Sequence, residues 1–114
     1  MKYRHLIIND TGKEITNPKT IEKELIKYEF YWLIDAEFEE AEIEIENNTI
    51  IWNSGIWLSG TWVYGIWKNG EFRWGRWLNG IFEDGHFLNG TWESGIFKGG
   101  KIHDDVKVNI INKK

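Results

Sequence analysis

The chain contains no cysteine and a single proline, Pro18, in 114 residues. Without thiols it can form neither a disulfide framework nor a zinc–thiolate site, which fits a reducing cytosol. Basic excess is missing too: residues 1–50 carry 6 basic and 12 acidic side chains, and residues 51–114 carry 8 and 6, within a formal net charge of −4. Neither half reads as a nucleic-acid-binding surface. Long apolar runs are absent. The start MKYRHLIIND has no leader-like apolar core, and nothing approaches the length of a membrane span. No leader, no membrane association and a cytoplasmic location are therefore expected. Catalytic groupings are absent as well. His5, His86 and His103 are dispersed along the sequence. Ser54, Ser59 and Ser94 each precede a glycine, outside any G-x-S-x-G elbow. KGGK at 98–101 lacks P-loop spacing, HDD at 103–105 is a worn repeat, and no loop has EF-hand spacing. The expectation is no catalysis, no cofactor and no metal.

What is there in excess is tryptophan, 8 residues, and glycine, 12 residues, far from average usage. From residue 51 the chain reads IWNSG, IWLSG, TWVYG, IWKNG, EFRWG, RWLNG, IFEDG, HFLNG, TWESG, IFKGG, then KIHDD. Every second position of the ten full units is Trp or Phe and every fifth is Gly. Ten glycines in register by chance has odds on the order of 10⁻¹² at ordinary glycine usage. Five residues are too few for a helical repeat, because 3.6 residues per turn would scatter the rings around the axis. They suit a three-residue strand and a corner. In Ile56-Trp57-Leu58 the middle side chain points opposite to its neighbours. The fourth position is mostly Ser, Asn or Asp, whose side chain bonds local backbone, and the Gly that follows accepts positive φ. A chain turning the same way after each short strand winds into a solenoid, with coils about 4.8 Å apart.

This pattern resembles the pentapeptide-repeat family. The resemblance implies a right-handed β-helix of square cross-section, with four five-residue faces per coil. It also implies an inward bulky centre (Trp57, Trp62, Phe82) and an inward small residue two positions earlier (Gly55, Gly60, Gly80). It covers residues 51–105 and extends to AEFEE-AEIEI at 36–45, where Ala36/Phe38 and Ala41/Ile43 keep an Ala-x-Phe order. The family's centre is usually Leu or Phe and its small residue Ala. Here the missing methyl would leave room for an indole, and four indoles would widen or flatten the square. Such runs also look like segments of phage and bacterial proteins. MORN-type repeats share Gly and aromatics but use a longer period and hairpins.

The fold class expected is mainly β: a short right-handed β-solenoid of five-residue faces with a small N-terminal α/β cap. Residues 1–50 form the cap, 51–105 the solenoid, and 106–114 a C-terminal strand, cap or dimerisation segment. Within the cap, His5-Leu6-Ile7-Ile8 reads as a strand. Asn17-Pro18 starts a helix with Ile21, Leu25 and Tyr28 on one side, and EFYWLI at 29–34 reads as a strand. Val106, Val108 and Ile110 alternate with polar residues as in a half-buried strand, either covering the last coil or pairing across a dimer.

Positions flanking the inward rings face solvent. Grouped by four, Ile56, Leu58, Leu78 and Ile96 fall on one face, which is either folded under residues 1–50 or an interface. Tyr64 and Trp74 occupy corner positions where Ser or Asn is the norm, as candidate hot spots or as packing against the cap. DAEFEEAEIEIE at 35–46 concentrates Glu37, Glu39, Glu40, Glu42, Glu44 and Glu46, with the last four on one strand face. That face either blunts a sheet edge or meets a basic protein surface. Some members of the resembled family imitate duplex DNA and inhibit DNA-handling enzymes, which the acidic strand would suit.

The sequence thus points to a non-enzymatic protein-binding module, expected to be a homodimer. Its sharper form is a phage- or bacteria-encoded inhibitor of a nucleic-acid-handling enzyme of gyrase or CRISPR-nuclease type. The alternatives are a structural component of a phage particle or fibre, or a nucleic-acid or small-ligand binder.

Overall fold

A computed structural model describes residues 1–108. In chain order these form strands β1 (Tyr3–Ile8) and β2 (Lys13–Ile15), helices α1 (Pro18–Lys27) and α2 (Tyr31–Asp35), and strands β3 (Glu37–Glu46) and β4 (Thr49–Ser59). Beyond β4 come rungs of two or three residues, one per pentad, ending at Val106–Val108. The molecule is a β-solenoid of about four turns with a small N-terminal helical cap.

Each rung pairs in parallel with the rung fifteen residues on, except the last of face three, which lies sixteen on. On face one, Ile51–Trp52 pairs with Ile66–Trp67, then Ile81–Phe82, then Ile96–Phe97. Face two runs through Ile56–Trp57, Glu71–Phe72, His86–Phe87 and Lys101–Ile102. Face three runs through Thr61–Trp62, Arg76–Trp77, Thr91–Trp92 and then Lys107–Val108. Three pentads complete a coil, so the square of four that the resemblance implied is replaced by a triangle. The rings supply the reason. Trp52, Trp57 and Trp62, one per face, touch one another with centroids 5.7, 5.7 and 6.3 Å apart. Three large rings close around one axis, whereas a fourth would hold them apart around a void, and cores are close-packed.

The backbone ladder follows from this register. The Trp52 carbonyl accepts the Lys68 N–H at 2.7 Å, and the Gly65 carbonyl accepts the Ile81 N–H at 2.9 Å. The same two bonds recur along the coils, which meets the requirement that buried backbone be paired.

Corner chemistry matches the expectation: Asn69, Asn79, Asp84 and Asn89 each accept, through Oδ1, the N–H of the following glycine at 2.7–2.8 Å. The glycines themselves do something different from what their sequence spacing suggested. Gly80 sits at φ 121° and a Cβ there would overlap the Gly65 carbonyl oxygen, approaching Trp62 Nε1 only at 3.2 Å. Glycine is required mainly by the backbone of the neighbouring coil and by its left-handed conformation, and only secondarily by the indole.

Inside, the rings form three columns. Trp52, Trp67, Phe82 and Phe97 stack at 4.8–5.7 Å. Trp57, Phe72 and Phe87 stack at 5.5 and 4.4 Å, and Trp62, Trp77 and Trp92 at 5.1 and 5.0 Å. Successive rings along the chain meet at steep angles, mostly edge to face. Burying a ring of roughly 150–250 Å² contributes about 4–6 kcal/mol of transfer free energy. One cost remains: the indole N–H groups of Trp52, Trp57, Trp62, Trp67 and Trp77 are buried without a hydrogen-bond acceptor. Edge-to-face contacts offset part of it.

The cap continues the sheet instead of standing apart. β3 pairs antiparallel with β4 through Asn47 and Asn48, both at positive φ (50° and 58°), as a two-residue hairpin demands. β1 lies parallel to β3 on its other side, and β2 is antiparallel to β1. β4 therefore runs across the boundary at residue 50, contributing the first rungs of faces one and two. The segment 36–45, read as two further pentads, is instead the antiparallel strand β3. Its Ala-x-Phe order still has a use. Phe38 stacks on Trp57 at 5.8 Å, Ile43 lies opposite Trp52, and Ala36 and Ala41 lie against Gly60 and Gly55. Trp32 covers the third column, edge-on to Trp62 at 5.2 Å.

α1 begins as read: Asn17 Oδ1 accepts the Thr20 N–H at 3.1 Å, Pro18 opens the helix, and Ile21 and Leu25 are fully buried. EFYWLI is not a strand. Glu29 breaks α1 at φ 64° and the chain re-enters a helix at Tyr31, burying Phe30 and Leu33 at helical spacing. A short apolar run carries either period. At the other end the worn HDD corner takes one residue more than a pentad, so Val106 pairs with Gly90, sixteen residues back, in the same chain.

Candidate interaction surfaces

Between Ala41 and Ile45 β3 is an interior strand, paired with β1 on one side and β4 on the other, so Glu42 and Glu44 do not blunt a sheet edge; Glu37 and Glu39 pair with β4 alone. A bulge divides β3. Glu39 faces Ile56 and Glu42 faces Ser54, leaving Glu40 at φ 55° where β3 follows β4 round the Gly55 corner. The outward–inward alternation still runs unbroken from Glu40 to Glu46, with Ala41, Ile43 and Ile45 buried between, and the bulge puts Glu37 and Glu39 out of phase with it. The Glu40 carboxylate meets the Met1 amine at 3.0 Å. Glu42 meets Arg4 at 3.5 Å. Glu44 accepts from Asn9 Nδ2 at 2.9 Å and Asn53 Nδ2 at 2.6 Å, and Glu46 from Asn9 at 3.0 Å. The Asn9 and Asn53 hydrogen bonds, with help from the Lys68 and His5 charges, hold the Glu44 carboxyl below the usual carboxylate range. Glu37 and Glu39 stay exposed and line, with Met1, Lys2, Phe38 and Leu58, a shallow cleft of about 340 Å³.

Tyr64 and Trp74 are 56% and 55% exposed at their corners and do not pack under the cap. Comparison with known proteins finds no matching family model, no matching curated protein and no matching solved structure. The functional reading therefore rests on the surfaces themselves.

Three pentads per coil also redistribute the outward apolar residues. Ile56 and Leu58 lie on face two in the first coil, Leu78 on face three, and Ile96 on face one in the last coil. They do not form one patch. Val106 is half-buried against the core, Val108 and Ile96 are exposed, and Ile110 lies outside the described residues. The helices contact β1, each other and the Thr61–Trp62 rung. The column that does exist was not singled out from the sequence: Ile51, Ile66, Ile81 and Ile96, paired rung to rung down face one, buried at Ile51, half-buried at Ile66 and Ile81 and exposed at Ile96. Its signal was present, isoleucine opening every third pentad, but reading it needs the number of pentads per coil.

The same register brings His86 and His103 together on face two, with ring centroids 5.9 Å apart, although they are dispersed in sequence. Among the described residues no group of three or more His, Cys, Asp or Glu side chains is arranged to hold a metal ion. No helix among them is long and apolar enough to cross a membrane.

Proposed function

We propose that this chain is a non-enzymatic, dimeric protein-binding module of the cytoplasm, presenting rigid solenoid surfaces to a protein partner. The observation that carries the proposal is the half-exposure of Tyr64 and Trp74 at corners whose other occupants are Ser, Asn, Asp and Gly. Neither ring serves the core, and the backbone beneath each is fixed by ladder bonds on both sides. Large aromatics on a rigid support are the residues that dominate binding energy at interfaces. In its sharper form the partner is a nucleic-acid-handling enzyme with a basic surface, met by Glu37, Glu39, Glu42, Glu44 and Glu46. Duplex DNA carries one charge per about 1.7 Å of axis, whereas the repeat is nearly neutral, so the acidic contact is confined to the cap. The test is capture from the natural host by the wild-type chain, by Tyr64→Ser/Trp74→Asn, and by Glu42→Lys/Glu46→Lys. Loss of a discrete captured protein in the first variant, with the thermal transition kept, supports the module. Loss in the second as well supports the acidic form. An unchanged captured set in both overturns the proposal.

A second reading, an assembly component whose coils extend a fibre, is favoured by the last coil. Among the described residues its strands Ile96–Phe97, Lys101–Ile102 and Val106–Val108 have no partner on the outer side, and Phe97, Ile102 and Val108 are 37–45% exposed. Open-ended growth with concentration would favour it over a discrete dimer.

A further inference from the structure

The outward first position of each pentad is not dictated by the coil. On face three it is Thr61, Arg76 and Thr91, and on face two Ile56, Glu71, His86 and Lys101. On face one it is isoleucine four times out of four, in register. If isoleucine were there only to favour strand geometry, the other faces would need it equally. The ladder is buried at Ile51, half-buried at Ile66 and Ile81 and more than half exposed at Ile96, and at coil spacing it is about 14 Å tall.

Beside it, at the third position of each pentad, runs the column Asn53, Lys68, Glu83 and Lys98. Read in reverse, that order pairs with itself. Lys68 falls opposite Glu83 and Glu83 opposite Lys68, with Ile66 against Ile81 in both directions; at the ends lie Asn53, bonded to Glu44 of its own chain, opposite Lys98 and the buried Ile51 opposite Ile96. A shift of one coil either way sets Lys68 against Lys68 or Glu83 against Glu83. A parallel arrangement sets isoleucines against the charged column. Face three, reversed over its four rungs, sets Thr61 against Lys107 and Arg76 against Thr91, with Leu78 against Glu93 in the third column, and face two sets Ile56 against Lys101. Only face one sets isoleucine against isoleucine and lysine against glutamate across its two middle coils.

We propose that face one is a self-association surface. A second copy of this chain packs on it antiparallel, about a two-fold axis lying along the rungs between the Ile66 and Ile81 coils. This deepens the dimeric part of the function proposed above and rests on it. The strip is narrow, so association is concentration-dependent, in the class of small interfaces. Isologous contact across a two-fold makes each ion pair occur twice.

The test is sedimentation equilibrium over a concentration series, with the thermal transition of each variant confirming folding. The wild type should show monomer and dimer. Lys68→Glu alone and Glu83→Lys alone each place like charges opposite one another twice, and should weaken the dimer at least about tenfold. An equimolar mixture of the two restores both pairs and should recover wild-type affinity as a heterodimer, a rescue that contacts within one chain cannot produce. Ile66→Thr/Ile81→Thr uses the residue already present at Thr61 and Thr91, and should lower dimer affinity by a similar factor. A wild type that stays monomeric overturns both the dimer and this surface. A wild-type dimer indifferent to these changes, or a mixture that fails to recover, overturns the surface and leaves the dimer standing.

Discussion

Between residues 51 and 100 each rung repeats the environment of the rung fifteen residues before it, whereas between residues 1 and 46 no environment recurs. In the middle coils a ring such as Trp67, Phe72 or Trp77 has a stacked neighbour above and below and edge contacts beside it. In the cap, Leu6, Ile21, Leu25 and Leu33 are equally buried, but each meets a different set of neighbours. Stability in the coil is thus a sum of near-identical rung-on-rung terms, as in other solenoids, and the cap exists to end that sum. It covers Trp52, Trp57 and Trp62 with Ile43, Phe38 and Trp32.

This difference predicts a hierarchy of damage. Trp62→Ala empties a site touching Trp32, Trp52, Trp57, Trp67 and Trp77, and should cost about 3–5 kcal/mol in denaturant unfolding. A loss below about 1 kcal/mol would mean the columns do not carry the fold. Gly80→Ala should cost about 2–4 kcal/mol through its left-handed φ and the Gly65 carbonyl. Gly12→Ala in the cap, at φ 74° with nothing within 4 Å, should cost only about 1 kcal/mol. Equal losses at the two glycines would remove the distinction between a stacked corner and a free turn.

Asn17→Ala, which deletes the α1 cap, should cost about 1 kcal/mol. It should also leave near-ultraviolet circular dichroism from the stacked indoles unchanged, and loss of that signal would tie the helix to the coil more tightly than its contacts suggest. The smallest effect concerns Glu44. Because its folded-state pKa lies below the unfolded value, its contribution is fully present above about pH 4.3 and is lost as pH falls through the folded value. The stability gap between wild type and Glu44→Gln should therefore be constant at neutral pH and close on acidification. A gap that widened with acid would contradict the Asn9 and Asn53 hydrogen bonds.

The same contrast explains what could be read in advance. The pentad, the inward rings and the Asx corner were legible because strand parity and turn chemistry are local, and ten copies repeat them. The number of pentads per coil was not, since the same local geometry closes a triangle or a square. Contact among Trp52, Trp57 and Trp62 decides it, and that is tertiary. The outward grouping of Ile56, Leu58, Leu78 and Ile96 failed for this reason, and the Ile51 to Ile96 ladder was missed for it. In the cap, Asn17-Pro18 announced α1 through cap chemistry. α2 and the β3 bulge have no local signature: Phe30 and Leu33 turn inward because a helix lets Trp32 reach Trp62, and Glu40 bulges because β4 bends at Gly55.

The three-pentad coil, on which every column described here depends, is tested most directly by through-hydrogen-bond scalar couplings in solution NMR. The amides of Lys68, Glu83 and Lys98 should couple to the carbonyls of Trp52, Trp67 and Phe82, each sixteen residues earlier. Couplings to carbonyls one further pentad back would restore the four-sided coil and contradict the triangular one.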